Sequence, residues 1–435
     1  MDWSKLIGIN IFCTNNTVCI LPVMKLPAIF FVLIFPLVSL AQLSIKGKVV
    51  NASTGAVIPG CSVFIANTSK GTTADGNGYF ELSDIPPGKH DLIVSSVGYE
   101  TSVFSFTDRQ LPLQLKIELV VKVKELDNVD LEAYVEEGWD KWGKIFTDNF
   151  IGTSANALQC KIRNPKAIRF RYYKKSNRLV AIADEAVVVE NKALGYVLTY
   201  QLEDFVVNFS ERSATFLGYS LFEDMDKGGK TVTQRRQNKR REAYYGSIMH
   251  FMRALYENKL AEEGFEVRRM QWVPNVEKQR VRELYRKASE KNMLANNGVL
   301  KVETGKQLEG IPADSVEYYR KILFEKDYFE VYGKELLQAD SLIIATEGAY
   351  KGMHFEKYIF VTYKNALEEE RYISSQLSSG KPGPRRSFVL LLNEKLITID
   401  KNGNYYNPQD FFTSGYWGWS EKMANSLPLD YEPAR

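Results

Sequence analysis

Three histidines, His90, His250 and His354, are the residues best suited to metal or acid–base chemistry. A zinc carboxypeptidase needs a histidine and a glutamate close together and a second, distant histidine, because the metal takes three protein ligands and keeps one position open. Three residues after His250 stands Arg253, and three residues after His354 stands Lys357, so neither begins a His-x-x-Glu motif. The sequence therefore argues against a metallopeptidase, and we expect no metal and no cofactor.

Ser247, His250 and Arg253 are the only other cluster that could be catalytic. Ser247 and His250 lie three residues apart on a predicted helix and would share a face of it. A serine hydrolase normally exposes its nucleophile in a Gly-x-Ser-x-Gly turn, and the chain has no such motif. Gly246 followed by Ser247 at the start of a helical run is more typical of an N-cap. We favour the N-cap and keep the three residues as candidates for a hydrolase of unrecognised type.

Two further clusters could bind a ligand. The first is basic and comprises Lys227, Lys230, Arg235, Arg236, Lys239, Arg240, Arg241 and Arg253. It could meet anionic glycan or lipid head groups, but a solvated helix face is the commoner cause of such a pattern. The second is aromatic and comprises Tyr405, Tyr406, Phe411, Phe412, Tyr416, Trp417 and Trp419. It could form a carbohydrate-stacking platform, but aromatic residues this dense more often form a core.

The elements that would position these residues lie in the region 132–435. The spacing of its first aromatic residues predicts an amphipathic helix over residues 132–148. Short alternating segments between residues 168 and 222 then predict an antiparallel meander, and residues 235–260 are helix-like with a break at Gly246 and Ser247. Further strands are predicted between residues 265 and 399. We therefore expect an α+β domain with a mainly antiparallel sheet.

Length and charge limit the classes of protein to consider. A chain of 435 residues is long enough for two or three domains. It is 45% hydrophobic and 25% charged, which is normal for globular protein. A net charge of +3 is too small to indicate a nucleic-acid partner.

The residues 24–41 are typical of a signal peptide. A lysine near their start is followed by an apolar run over residues 29–40. Ser39 and Ala41 then occupy the two positions that signal peptidase reads, so we predict cleavage before Gln42. The apolar run is shorter than the ~20 residues that span a bilayer as a helix.

An N-terminal membrane anchor is the alternative to a cleaved signal peptide. Residues 1–23 do not resemble part of a mature domain, and we interpret them as a gene-model extension before a start at Met24. The protein is expected to be exported, and to be periplasmic or associated with the outer membrane.

Residues 42–120 predict an all-β sandwich. Short alternating strands recur at regular spacing, with turn residues between them. The densest turn signal is the Asp-Gly-Asn-Gly sequence at residues 75–78. Cys61 alternates with Val63, so we expect its thiol in the sandwich core. A disulfide from Cys61 to Cys160 is the alternative in an oxidising compartment.

This region resembles the carboxypeptidase regulatory-like domain, a transthyretin-like (prealbumin-like) sandwich. The matching segments are Gly47-Lys48-Val49-Val50, Thr54-Gly55, Pro59-Gly60-Cys61, Gly71-Thr72-Thr73, Asp75-Gly76-Asn77-Gly78-Tyr79-Phe80, Pro87-Gly88 and Val97-Gly98-Tyr99-Glu100. The resemblance implies an accessory domain without catalytic groups, of a kind that commonly precedes surface proteins in Gram-negative envelopes. Such an analogy of fold confers no activity.

The larger region also resembles part of an uncharacterised family of envelope proteins that carry this sandwich. The segments concerned are Asn149-Phe150-Ile151-Gly152-Thr153-Ser154, Glu190-Asn191-Lys192-Ala193-Leu194-Gly195-Tyr196, Ala243-Tyr244-Tyr245-Gly246-Ser247, His250-Phe251-Met252-Arg253-Ala254-Leu255 and Leu427-Pro428-Leu429-Asp430-Tyr431. This resemblance covers nearly the whole mature chain and implies no known reaction.

The sequence thus predicts a multidomain protein: the sandwich over residues 42–120, a linker over residues 121–131 and the α+β domain over residues 132–435. We expect an exported cell-envelope protein with a non-enzymatic binding or assembly role. A hydrolase of unrecognised type is the alternative, and a peptidase label would rest on domain analogy alone. The expected partner is an unknown envelope protein or a glycan, with possible outer-membrane association and no nucleic acid.

Overall fold

A computed structural model describes residues 44–122, 132–225, 229–295, 313–376 and 380–433. The predicted signal peptide, the Gln42 cleavage site and most of the predicted linker lie outside these residues. Within them, no helix has both the length and the apolar character needed to span a membrane.

Seven short strands form the N-terminal sandwich and confirm the expected all-β fold. They are β1 (Ile45–Asn51), β2 (Ser62–Ile65), β3 (Gly71–Thr73), β4 (Tyr79–Leu82), β5 (Lys89–Ser95), β6 (Ser102–Thr107) and β7 (Leu113–Leu119). One sheet has the order β4-β1-β7, with β1 and β7 parallel, and the other has the order β3-β2-β5-β6. The Asp75 carboxylate accepts hydrogen bonds from the backbone N–H groups of Asn77 and Tyr79, both at 2.8 Å, and so shapes the tight turn before β4.

The thiol of Cys61 lies fully buried in the sandwich core beside Val63. Successive side chains of a strand point to opposite faces, so the two residues share the inner face. Cys61 and Cys160 are both free thiols in this structure.

The first half of the larger region is a seven-stranded antiparallel sheet with one helix packed on it. Its elements are β8 (Tyr134–Glu137), α1 (Trp139–Phe150), β9 (Cys160–Ile162), β10 (Ile168–Tyr173), β11 (Arg178–Ala183), β12 (Val187–Asn191), β13 (Tyr196–Asn208) and β14 (Ser213–Asp224). The order is β8-β10-β11-β13-β12-β9, and β14 pairs with β13. The Phe146 and Phe150 rings of α1 are fully buried against the sheet.

The helix predicted over residues 132–148 is wrong over its first seven residues, 132–138. Residues 134–137 form β8, in which Val135 pairs with Tyr172 of β10. Helical spacing does begin at Trp139, directly after Gly138. The pairing with β10 outweighs the local helical pattern because the strand gains backbone hydrogen bonds along a sheet edge.

The second half combines two antiparallel sheets with the remaining helices, so the expected α+β class with mainly antiparallel sheet is confirmed. Its elements are α2 (Lys230–Tyr244), α3 (Ile248–Tyr256), β15 (Phe265–Pro274), α4 (Val276–Ala295), α5 (Val316–Phe324), β16 (Tyr328–Tyr332), β17 (Ile343–Glu347), β18 (Tyr350–Met353), β19 (Tyr358–Leu367), α6 (Glu370–Ser375), β20 (Pro384–Leu391), β21 (Ile397–Ile399), β22 (Phe411–Gly415) and α7 (Tyr416–Ser420). The sheet orders are β16-β15-β19-β20-β22 and β17-β18-β21. Phe251 and Leu255 of α3 are fully buried in the core that the five-stranded sheet helps to form.

The sandwich packs directly on the larger region. Phe64 and Ile93, on the outer face of the second sandwich sheet, are fully buried in a cluster with Leu221 of β14. The C-terminal segment, residues 421–433, adds polar contacts: the Leu429 N–H donates to Asn67 O at 2.7 Å, and the Asp430 carboxylate accepts from the Ser69 N–H at 2.9 Å.

Candidate functional site

The break between α2 and α3 places Ser247 at the start of α3. Gly246 adopts φ +82°, a left-handed conformation that favours glycine, and so turns the chain after α2. Ser247 Oγ accepts a hydrogen bond from the backbone N–H of His250 at 3.1 Å. This bond satisfies one of the N–H groups that the first turn of a helix leaves without an intrahelical partner. Ser247 is therefore an N-cap in the structure.

The His250 ring is buried and has a partner at each nitrogen. Nδ1 accepts from the backbone N–H of Gly246 at 3.1 Å, and Nε2 lies 3.0 Å from Glu263 Oε2. Because an N–H group can only donate, Nδ1 carries no proton, and the proton on Nε2 is donated to Glu263. Burial lowers the pKa of His250, and the Glu263 carboxylate opposes that effect. No sequence motif indicated Glu263, because it lies 13 residues after His250 and that separation fits no helical or turn spacing.

The Arg253 guanidinium donates three hydrogen bonds to backbone carbonyl groups. Its partners are Asn402 O at 3.0 Å, Leu429 O at 2.9 Å and Tyr431 O at 3.0 Å. Its centre also lies 5.4 Å from the centroid of the Tyr244 ring. Arg253 therefore ties α3 to the C-terminal segment and to the turn that contains Asn402.

The three candidate residues thus share one helix but meet different parts of the molecule: Ser247 bonds the backbone of α3, His250 meets Glu263, and Arg253 meets the C-terminal segment. His90 lies in the sandwich, where Nε2 is 2.8 Å from Pro86 O. Across the residues that the structure describes, no group of three or more His, Cys, Asp or Glu side chains could hold a metal ion.

The residues of the predicted basic cluster differ in their contacts: some bond the protein backbone and others are exposed. Arg240 donates to Leu194 O at 2.7 Å, and its guanidinium lies 3.8 Å from the centroid of the Tyr196 ring. Arg236 donates to Met225 O at 2.9 Å, whereas Arg235 is exposed. Arg236 and Arg240 therefore hold α2 against the larger sheet, and Lys227 lies outside the described residues.

The residues of the predicted aromatic cluster differ in their burial. Tyr416 and Trp417 are 2% exposed, and the Trp417 Nε1–H donates to Gly246 O at 2.8 Å. Phe411 is also buried, whereas Phe412 is 41% exposed. Three of its seven residues, Phe411, Tyr416 and Trp417, are thus buried, as dense aromatic residues often are.

A cleft of about 320 Å³ opens beside Ser247, and we call it the junction cleft. Its walls are the C-terminal end of α2, the end of β19, the start of β20, and α7 with the residues after it. The lining residues are Ala155, Asn156, Lys239, Glu242, Ala243, Gly246, Ser247, Ala366, Leu367, Glu369, Arg385, Tyr416, Ser420, Glu421 and Asn425. The cleft thus brings three carboxyl groups and two basic groups to one place.

Glu421 is the lining residue whose pKa is moved to the neutral range. Burial raises its pKa to about 7, although the Ile248 N–H at the start of α3 and the charge of Arg385 both act in the opposite direction. Arg385 donates to Tyr245 O at 2.7 Å, and its guanidinium lies 5.0 Å from the centroid of the Tyr416 ring. A carboxyl group that titrates near neutral pH can give or take a proton, and a guanidinium can hold an anionic group. The junction cleft is therefore suited to a polar ligand.

The sequence pointed to Gly246 and Ser247 of this cleft through the helix break, and to Lys239 and Tyr416 only as members of the basic and aromatic clusters. Glu369, Arg385 and Glu421 come from separate elements, and none of them belongs to a motif with its own spacing. The break at Gly246 and Ser247 was the sequence signal for a site here, since the first N–H groups of a helix have no intrahelical partner and point toward any group that packs against the helix start.

Residues 45–131 match the family model of the CarboxypepD_reg-like domain, which confirms the resemblance seen in the sandwich. The resemblance of the whole mature chain to an uncharacterised family with this domain is compatible with that match. No curated protein matches the chain.

Some solved structures share similarity with parts of the chain. Two type II cohesin–X-dockerin complexes from Acetivibrio cellulolyticus, an N-terminal and a C-terminal interface mutant, are each 26% identical to it. The matches cover 18% and 17% of this chain and 57% and 51% of those chains, with TM-scores of 0.16 and 0.14, so this chain spans little more than half of their length. A protein of unknown function from Bacteroides fragilis, provisionally described as membrane-associated, is 12% identical over 84% of this chain and 99% of that one, with a TM-score of 0.15. With TM-scores this low, none of these similarities bears on function.

Proposed function

Because residues 45–131 carry a carboxypeptidase regulatory-like domain, we propose that this chain is an exported cell-envelope protein that acts by binding or assembly and not by catalysis. The signal-peptide pattern of residues 24–41 supports export. The sandwich serves as an accessory domain, and the larger region binds an envelope protein or a glycan.

One observation carries the binding role: the junction cleft collects Arg385, Glu369 and Glu421 from three elements around one cavity. Polar groups that converge in a preformed cavity are the usual form of a ligand site. Ser247 and His250, the residues best suited to hydrolysis, hold the helix start and the Glu263 contact instead.

Co-purification from native envelopes tests the binding role. We expect the wild-type protein to retain a partner that is lost with Glu421→Gln, which keeps the side-chain size, and with Arg385→Gln, since both variants remove charge from the cleft. Lys381→Gln is the matched control, because Lys381 is exposed and outside the cleft. Equal recovery of the partner with all four proteins would reject the cleft as the site.

Export is tested separately by N-terminal sequencing of protein taken from the envelope. We expect the mature chain to begin at Gln42. A chain that begins at Met1, or within the apolar run of residues 29–40, would contradict the proposed localisation.

A hydrolase is the second candidate function, and Glu421 favours it. A carboxyl group with a pKa of about 7 can act as a general acid or base, and Ser247 lines the same cleft. A fluorophosphonate probe distinguishes the two functions, since it labels an activated serine. Labelling that disappears in Ser247→Ala would support the hydrolase. We expect no labelling of Ser247, because its hydroxyl caps α3.

A further inference from the structure

The outer face of the five-stranded sheet, opposite the core, carries aromatic rings on every one of its strands. Residues that pair across the strands share a face of the sheet, as do residues two apart on one strand. Trp272 pairs with Glu330, which lies two residues from both Tyr328 and Tyr332, and Phe360 pairs with Phe388. Leu390, two residues after Phe388, pairs with Phe412. The rings belong to Tyr328 and Tyr332 of β16, Trp272 of β15, Tyr358 and Phe360 of β19, Phe388 of β20 and Phe412 of β22. We call this surface the aromatic face.

Neighbouring rings of the aromatic face contact one another across the strands. The ring centroids are 4.6 Å apart for Tyr332 and Phe360, 5.2 Å for Phe360 and Phe388, and 5.9 Å for Phe388 and Trp272. Strands in a sheet lie about 4.8 Å apart, so five strands extend the surface over roughly 19 Å. The rings therefore form one elongated patch.

Several of these rings remain open to solvent. Tyr328 is 50% exposed, Phe412 is 41% exposed, and Trp272 and Tyr332 are each 39% exposed. On the inner face of the same sheet, by contrast, Val361 is 1% exposed. A contiguous exposed patch of large apolar side chains is unfavourable in water and marks an interaction surface.

The charged groups around the aromatic face already have partners. Arg386 lies 3.4 Å from the Glu368 carboxylate, and Lys326 lies 3.3 Å from the Glu330 carboxylate. Arg268 donates to Lys334 O at 2.5 Å. Carboxylates thus neutralise two of these three cations, and the third, Arg268, is held by backbone carbonyl groups, so the rim offers few free cationic groups to an anionic lipid surface or to an acidic polymer and suits an uncharged ligand.

We propose that the aromatic face binds an uncharged polysaccharide chain. The C–H groups on the flat side of a sugar ring carry partial positive charge, and the face of an aromatic ring is negative, so the two stack favourably. The hydroxyl group of Tyr328 can bond the sugar hydroxyls at the edge of the stack, and that of Tyr332, which donates to the Glu330 carboxylate, can accept a hydrogen bond from them. A row of rings on five strands fits a linear polymer better than a small molecule. This surface is separate from the junction cleft, and the proposal goes beyond the function inferred for that cleft.

Affinity electrophoresis tests the proposal, with native gels that contain amylopectin, mixed-linkage β-glucan, galactomannan or arabinoxylan. We expect at least one of these polymers to retard the full chain. Trp272→Ala and Phe412→Ala should each weaken that binding at least tenfold; both side chains are exposed, so both variants should fold. Tyr79→Ala is the matched control, because Tyr79 is a 53% exposed ring on the sandwich, and its binding should equal that of the wild type.

The other possible occupants give different results. No retardation by any of the four polymers would overturn the proposal, and so would retardation that both variants leave unchanged. Stronger binding to polygalacturonate than to the neutral polymers would show that charge governs recognition and would also overturn it. The proposal would also be overturned if the protein co-sedimented with vesicles of phosphatidylethanolamine and phosphatidylglycerol and both Trp272→Ala and Phe412→Ala abolished that binding. Dimer formation in analytical ultracentrifugation that both variants abolished would overturn it as well.

Discussion

Arg253 is 8% exposed, yet the three hydrogen-bond acceptors of its side chain are backbone carbonyl groups. A carboxylate, Glu432, lies 3.7 Å away and is itself largely exposed. The planar guanidinium fork can reach carbonyl groups in three directions at once, which a lysine ammonium on the same helix position cannot do. This residue therefore helps to hold the C-terminal segment in place.

Arg253→Lys should lower the free energy of unfolding by about 2–4 kcal/mol, because buried carbonyl groups lose donors. Urea unfolding followed by circular dichroism measures the change. Arg235→Lys is the matched control and should stay within about 0.5 kcal/mol of the wild type, since Arg235 is exposed on α2. Equal stability of the two variants would show that the three carbonyl contacts contribute little.

His250→Gln should fold and be exported, because glutamine can replace one of the two hydrogen bonds of the ring. We expect a loss of about 1–2 kcal/mol at pH 7.5 from the other bond. The pKa of His250 lies below its ordinary value of 6.5 in the folded protein, so the unfolded chain takes up the proton first as the pH falls. The stabilisation by His250 is therefore complete above pH 6.5 and is lost below it.

The difference in stability between wild type and His250→Gln should consequently narrow between pH 7 and pH 5. Unfolding curves at a series of pH values measure it, and the comparison cancels contributions from groups common to both proteins. A difference that widens toward acid pH would mean that the folded protein favours the imidazolium form.

At the scale of elements, Gly246 sets the angle between α2 and α3. Its carbonyl accepts from Trp417 Nε1–H, and its N–H meets the His250 ring, so the turn is bonded on both sides. A Cβ atom at this position would lie 2.5 Å from Cδ1 of Tyr363. The turn is thus specified both by its backbone conformation and by close packing.

Gly246→Ala should therefore lower the free energy of unfolding by about 2–4 kcal/mol, from backbone strain and overpacking together. Gly55→Ala supplies the matched control. Gly55 has φ +69°, but a Cβ atom there would meet no atom within 4 Å, so only the backbone strain applies. Thermal unfolding of both variants separates the two causes, and equal shifts in Tm would exclude a role for crowding against Tyr363.

Some elements follow from local pattern and others do not. No helix was predicted from the sequence at α4, although ion pairs three and four residues apart mark it, such as Arg286 with Glu283 and Glu290. A count of apolar residues overlooks a helix of this kind because its charged groups cover most of its surface. The helix prediction at residues 134–137 was wrong for the opposite reason, because strand pairing outweighed a helical pattern.

At the scale of the whole molecule, the question is whether the sandwich can fold without its contact with β14. We predict that residues 43–120 fold alone as a β-sandwich, because their strands enclose a core of their own. Phe64 and Ile93 would then lose the cover of Leu221, so the fragment should be less stable than the full chain and more prone to aggregate.

Urea unfolding of the expressed fragment checks this prediction and should show one cooperative transition. Phe64→Thr should improve the solubility of the fragment, while Val63→Thr, a control inside the core, should destabilise it. A fragment without a cooperative transition would mean that the sandwich needs the larger region in order to fold.

The sequence by itself determined the sandwich, the mainly antiparallel sheets and the helix break at Gly246 and Ser247. These features depend on alternation, turn glycines and capping, which act between residues a few positions apart. The tertiary structure alone decided that Glu369, Arg385 and Glu421 meet in one cleft. It also decided which face of the five-stranded sheet is open to solvent. Both outcomes depend on contacts between residues far apart in the chain, and the local pattern of a single strand or helix carries no information about which distant element will pack against it.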